Sequence, residues 1–223
     1  AFFTPTGYGT DLARHADGVV AGAQSLFDAD APAPAPPIAA GIARQVQAAD
    51  WLALHFRRRV RMSLAVTHTL AALMGLAFIL YSDIEARQVY AGAFLLLFGF
   101  GLMLSLYGQR RQWQRKYLDY RGLAEGLRVQ LYWRLAGGEI PSNNTLGYDS
   151  FLQKQDVDLS WIRHAMRGTG LLRDEGPGAD AAWLAWVVQH WIGDEHGNGG
   201  QLEYFRRGGA QRERDYRWTT RLG

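Results

Sequence analysis

Met62–Ser82, MSLAVTHTLAALMGLAFILYS, holds no Asp, Glu, Lys or Arg in 21 residues. A helix over it rises about 31 Å, close to the thickness of a bilayer's hydrocarbon layer. After the short polar turn Asp83–Arg87 (DIEAR) comes Gln88–Gln109, QVYAGAFLLLFGFGLMLSLYGQ, a second charge-free run of 22 residues that spans roughly 33 Å as a helix. A buried helix of a soluble bundle keeps one polar face, and neither run has one. The expected fold class is therefore an all-α membrane protein. It comprises a two-helix transmembrane hairpin, with spans at about 62–82 and 88–109, long helical cytoplasmic extensions and a small helical C-terminal subdomain.

The basic residues set the expected orientation. Arg57, Arg58, Arg59 and Arg61 precede the first run, Arg110, Arg111, Arg115 and Lys116 follow the second, and the turn carries Arg87 alone. The positive-inside bias places both flanks on the cytoplasmic side of the membrane. Tyr81, Tyr90, Tyr107 and Trp113 stand near the boundaries, where interfacial aromatic rings collect. The mean hydropathy of the whole chain, −0.18, is that of a soluble protein, because Arg-rich segments dilute the two apolar runs. The net charge is +3 and there is no cysteine, which rules out disulfides and cysteine metal sites. The basic clusters beside the apolar runs suit anionic lipid headgroups. No broad basic face with interleaved aromatics points to nucleic acid.

Outward from the runs, residues 1–27 read as the tail of an upstream soluble domain or an N-terminal segment, with a short helix over Asp11–Ala23. The chain begins at Ala1 and ends at Gly223 in a basic stretch, which reads as a piece of a longer protein. Residues 28–37 (DADAPAPAPP) form a linker, since alternating Ala and Pro favours an extended chain. Residues 38–136 hold the hairpin and its helical extensions. Helix is expected from Ile38 to Ser82 and again through the second run to a stop near Gly137-Gly138. Residues 137–223 form a cytoplasmic helical subdomain, with short helices near Ser150–Gln155, Ser160–Arg167 and Ala179–Ile192 and an amphipathic basic segment over Leu202–Arg221.

Thr67, His68 and Thr69 interrupt the first apolar run. An ionisable group inside a membrane is a functional candidate, and the three are candidates to line a pore; the alternative is a neutral His68 bonded to its own helix. Arg57, Arg58, Arg59 and Arg61 would ring the cytoplasmic mouth. Ala71 with Gly75, and Gly101 with Ser105, are small pairs that permit close helix approach, within one hairpin or between copies. Trp113, Tyr117, Tyr120, Ala124, Leu127 and Leu131 form a heptad-like seam. It serves either packing inside the chain, against Ile38–Phe56, or a subunit contact. Tyr120, Arg121, Glu125 and Arg128 are the assembly candidates, with Glu125 expected to pair with Arg121, Arg128 or a neighbouring subunit. His190 and His196 flank Asp194-Glu195, but the spacing fits no familiar ligand pair and reads as a solvated helix end, so no metal site is expected. No nucleophile elbow, phosphate loop or dinucleotide glycines occur. Neither a catalytic residue nor a cofactor is expected. An enzyme would need a pocket of clustered titratable groups in residues 140–200.

Tyr117–Gly138 (YLDYRGLAEGLRVQLYWRLAGG) directly after a two-span hairpin resembles the bacterial SLATT family, the SMODS/SLOG-associating two-transmembrane effectors. The resemblance lies in Tyr120, Arg121, Ala124, Glu125, Leu127 and Arg128, then Trp133 and Gly137. Trp161-Ile162-Arg163, Trp191-Ile192 and Gln201–Phe205 are similar to larger members, so it covers about residues 50–205. It implies a homo-oligomeric, ligand-gated ion channel or pore-forming effector in bacterial immunity. It also implies control by a TRP-melastatin-like SLOG sensor domain, outside this chain, that binds a nucleotide-derived ligand. The alternative is a membrane anchor for such a sensor, without a pore.

Overall fold

The computed structural model describes residues 6–22, 25–27, 30–32, 34–84, 87–137, 160–170, 180–194 and 199–222. Among them every regular element is helical and no strand occurs. The helices are α1 (Thr6–Arg14), α2 (Ala16–Gly22), α3 (Pro37–Ile79), α4 (Gln88–Arg111), α5 (Trp113–Leu135), α6 (Ser160–Gly170), α7 (Ala181–Val187) and α8 (Gly200–Leu222). Two π-helical turns, Leu80–Ile84 and Val188–Ile192, extend α3 and α7. The helix expected at Ser150–Gln155 lies outside the described residues.

The boundaries follow local chemistry. Pro37 opens α3, where its fixed φ suits a first helical turn and its missing N–H is no loss. Nothing then stops the helix for 43 residues. Gly137 ends α5 with φ 78° and its N–H donates to Arg134 O at 3.0 Å, a left-handed cap. Boundaries depart from expectation in two places. The N-terminal helix starts at Thr6, not Asp11, and is split at His15 into α1 and α2. The helix after the second apolar run is not continuous, because Gln112 adopts φ 51°, ψ 36° between α4 and α5. Its N–H donates to Gln109 O at 3.2 Å and its carbonyl accepts from Lys116 N at 2.9 Å, so one helix closes and the next starts on a single residue.

The described chain groups into two compact units, each drawing on parts of α3 and α5. This grouping follows contacts, whereas the sequence division followed composition; the N-terminal helices fall in a unit with residues 48–124. In the first unit Ala49, Leu52, Ala53 and Phe56 line one buried face of α3, and Tyr120, Leu123 and Ala124 line one of α5. Phe56 and Tyr120 meet at 5.7 Å between ring centroids. In the same unit α3 and α4 run antiparallel. The Gly108 position faces Ser63, Gly101 faces Leu70, and Phe94 faces Phe78, so going forward along α3 the partner moves back along α4.

In the second unit the buried residues include Ile42 and Val46 of α3, Leu127, Leu131 and Leu135 of α5, Ile162 and Met166 of α6, and Trp183 and Trp186 of α7. A buried polar knot accompanies them. Gln130 Nε2 donates to Met166 O at 3.1 Å and Thr169 Oγ1 lies 2.9 Å from Gln130 Oε1. Tyr132 stacks on Trp191, and Phe27 packs edge-on against Trp183. The seam residues Tyr120, Ala124, Leu127 and Leu131 are thus buried within one chain, which favours the intramolecular reading of the heptad pattern.

Candidate functional site

The two apolar stretches turn their large side chains outward. Leu95, Leu96 and Val89 of α4 are 65%, 78% and 74% exposed, and Leu64, Leu76, Phe78 and Ile79 of α3 are exposed as well. The most apolar 18-residue window of the first helix is 11% buried and that of the second 0%. A core helix of a soluble protein would be mostly covered by its own chain; these are not. Two helices of this protein are therefore long and apolar enough to cross a membrane, and their uncovered surface suggests insertion into one.

The polar residues of the first stretch are bonded to their own helix. Thr67 Oγ1 donates to Ser63 O at 2.8 Å, Thr69 Oγ1 donates to Ala65 O at 3.0 Å, and His68 Nδ1 lies 2.7 Å from Leu64 O. This is the local bonding named above as the alternative for His68. Successive helical residues point about 100° apart, so these three do not share one line along the helix. Arg57, Arg58, Arg59 and Arg61 are exposed around the helix just before the stretch. Arg59 is held: its Nε donates to His55 Nε2 at 3.1 Å and its guanidinium sits 5.8 Å over the Trp113 ring. Gly101 meets Leu70 across the helix pair, whereas a side chain at Gly75 would meet open space.

Of the assembly candidates, Tyr120 is fully buried. Arg121 NH1 donates to Asp50 Oδ1 at 3.1 Å, a partner on α3 that sequence spacing did not suggest. Arg128 NH1 lies 3.0 Å from both carboxylate oxygens of Glu125, one of the pairings expected. His190 Nδ1 lies 2.9 Å from Trp186 O and its ring stacks on Trp186; Glu195 and His196 lie outside the described residues. Among the described residues no group of three or more His, Asp or Glu could hold a metal ion.

The strongest polar constellation was not singled out by sequence. Asp11 of α1 is only 2% exposed, and its Oδ2 accepts from Tyr120 OH at 2.6 Å and from Lys116 Nζ at 2.6 Å. A carboxylate, an ammonium and a phenol thus fasten α1 to the start of α5. Burial, and then the hydrogen bond to the Asp11 carboxylate, push the Tyr120 hydroxyl far above the usual tyrosine range. Beside it, His15 lies 4.5 Å from His55 between ring centroids, and His55 stacks on Trp51. Burial lowers the His55 pKa, with further lowering from His15, Arg59 and Arg58 against a smaller opposing effect of Asp11. Gly18 and Gly22 carry α2 over the Trp51 indole so closely that a Cβ at either would come within 2.6 Å of a ring atom. The Gly18-x-x-x-Gly22 spacing was the one available signal, because it puts both glycines on one helix face. Nothing in the sequence ties Asp11 to residues more than a hundred positions away.

The regular elements among the described residues are thus all helical, two of the helices are potential membrane spans, and a buried carboxylate fastens α1 to α5. No family model, curated protein or solved structure matches the chain.

Proposed function

We propose that the protein is a membrane effector whose α3 and α4 cross the bacterial inner membrane as a hairpin, with both flanks in the cytoplasm. Several copies together form a pore gated by a cytoplasmic sensor of a nucleotide-derived ligand, in the manner of the SLATT-type proteins it resembles. The observation that carries the membrane part is the outward apolar surface of both helices, left 11% and 0% buried by the chain over their most apolar windows. The basic residues on the two flanks, against Arg87 alone in the turn, support that orientation.

One hairpin cannot enclose a water path, since its backbone bonds are internal and its outer face is apolar. Conduction therefore requires several copies. The open space at Gly75 supports close approach by a second hairpin there, and the exposed arginines before the first stretch would favour anions at the mouth. The competing reading, an anchor without a pore, draws on one specific observation: Thr67, His68 and Thr69 already bond to their own helix.

Flux from liposomes separates the two readings. Purified protein with its sensor and ligand is expected to release a small anion from vesicles, with single-particle images showing several copies around an axial opening. Insertion without flux, in monomers or dimers lacking that opening, would leave the anchor reading. Extraction of the protein from membranes by alkaline carbonate would overturn both.

A further inference from the structure

α4 carries a groove of about 360 Å³ lined by Gly99, Leu102, Met103, Leu106, Tyr107 and Arg110. Those positions recur at helical spacing and make one face of the helix, running roughly 16 Å along it. The inner end is Gly99, where an added side chain would meet nothing within 4 Å. The outer end is cationic. Arg110 closes the groove and makes no ion pair or hydrogen bond among the described residues, while Arg111 lies 5.3 Å over the Tyr107 ring that forms the wall. No Asp or Glu occurs in the chain between Arg87 and Asp119, so the charge at this end is not answered by neighbours in sequence.

We propose that this groove is a binding site for a single anionic phospholipid, its acyl chain lying from Tyr107 to Gly99 and its phosphate held by Arg110 and Arg111. The inference rests on the membrane topology proposed above. Volume and lining suit an apolar ligand with one polar end, and the guanidinium fork matches a phosphate. An extended peptide in the groove would carry unpaired backbone groups into the hydrocarbon. A second copy seated on this face through its own α4 would press its Arg110 and Arg111 against these at contact distance, where like charges repel. A lipid chain meets neither objection.

The test is native mass spectrometry of the full chain in detergent with phosphatidylglycerol or phosphatidylcholine of identical acyl chains. The wild type is expected to retain phosphatidylglycerol at least fivefold more than phosphatidylcholine. Arg110→Gln is expected to bring that ratio near one, and Gly99→Leu, which fills the groove, to lower retention of both lipids several-fold. Equal retention of the two lipids by the wild type, or unchanged retention by Gly99→Leu, overturns the site. So does a fall in oligomer mass without lipid loss in Gly99→Leu, which would assign the groove to a second copy. Resistance of the wild type to carbonate extraction is read in parallel. A protein that stays in the membrane yet shows no lipid preference loses this site only, whereas one released by carbonate loses the topology as well.

Discussion

Trp51 sets what residues 18 and 22 are allowed to be. With ring atoms 2.6 Å from where a Cβ would stand at either position, Gly18→Ala or Gly22→Ala must displace the indole or the helix. Overpacking of this kind destabilises by about 1–3 kcal/mol. Limited proteolysis is expected to cut within α1 and α2 faster in either variant, and an unchanged cleavage rate would reject the close approach. Asp11 has a similar dependence on its partners. Lys116→Met takes the nearer of two cations from a buried carboxylate and leaves Arg14 at 3.6 Å, so the loss is below the about 3–5 kcal/mol of a fully buried pair, the more so because Lys116 is partly exposed. Tyr120→Phe removes one hydrogen bond to a charged group, about 1.5–3 kcal/mol. Melting temperatures in detergent should fall for both, and a variant melting with the wild type would show that the cluster does not fasten α1. His55 adds a pH dependence. Its native pKa lies below the ordinary value, so the unfolded chain binds the proton more readily. The associated stability is complete above about pH 6.5 and declines as the pH drops from there toward the lowered native value. His55→Asn should flatten that decline between melts at pH 7.5 and pH 5; an equal slope in wild type and variant would dismiss His55 as its source.

Among the elements, the two apolar helices were legible because their signal is contiguous: absence of charge over 21 and 22 residues needs no tertiary partner to interpret. The stop at Gly137 was legible for the same local reason. Gln112 was not, because the usual breakers are Gly and Pro and this join uses neither. Its left-handed backbone is held by neighbours: Trp113 meets Tyr107 edge-on at 5.6 Å, and Arg59 covers the same indole. Left-handed helical backbone costs an ordinary residue about 1–2 kcal/mol. Gln112→Gly should therefore maintain or raise the melting temperature, and the β-branched Gln112→Val should lower it. The reverse order would mean that the join straightens in solution. The Asp11 cluster was illegible for the opposite reason. Its members are ordinary residues far apart in sequence, and only their meeting gives them a role. The partnership of Arg121 with Asp50 was hidden in the same way, since helix spacing offers only partners three or four residues away.

At the scale of the molecule, the absence of cysteine makes the proposed topology directly measurable. Ser82→Cys, at the hairpin tip, is expected to react with an impermeant maleimide in intact spheroplasts. Gln114→Cys, beyond the second apolar stretch, should react only after lysis. Labelling in the opposite pattern would invert the hairpin, and labelling of both sites in intact spheroplasts would deny that α4 crosses. The four sequence segments gave the order of the chain, but not which stretches share a core. Composition changes at the Ala/Pro linker, whereas burial depends on which faces of α3 and α5 meet a neighbour.

The turn between α3 and α4 is a handful of residues, and guanidinium groups crowd both outer ends of the pair. Under the proposed topology this governs how the protein is made. Neither flank of the pair is dragged through the lipid, and the cargo to be translocated between the two helices is little more than Asp83, Glu85 and Arg87. The pair should enter as one object during synthesis, once the ribosome has released both halves, and a delay between them would expose greasy chain to the cytosol.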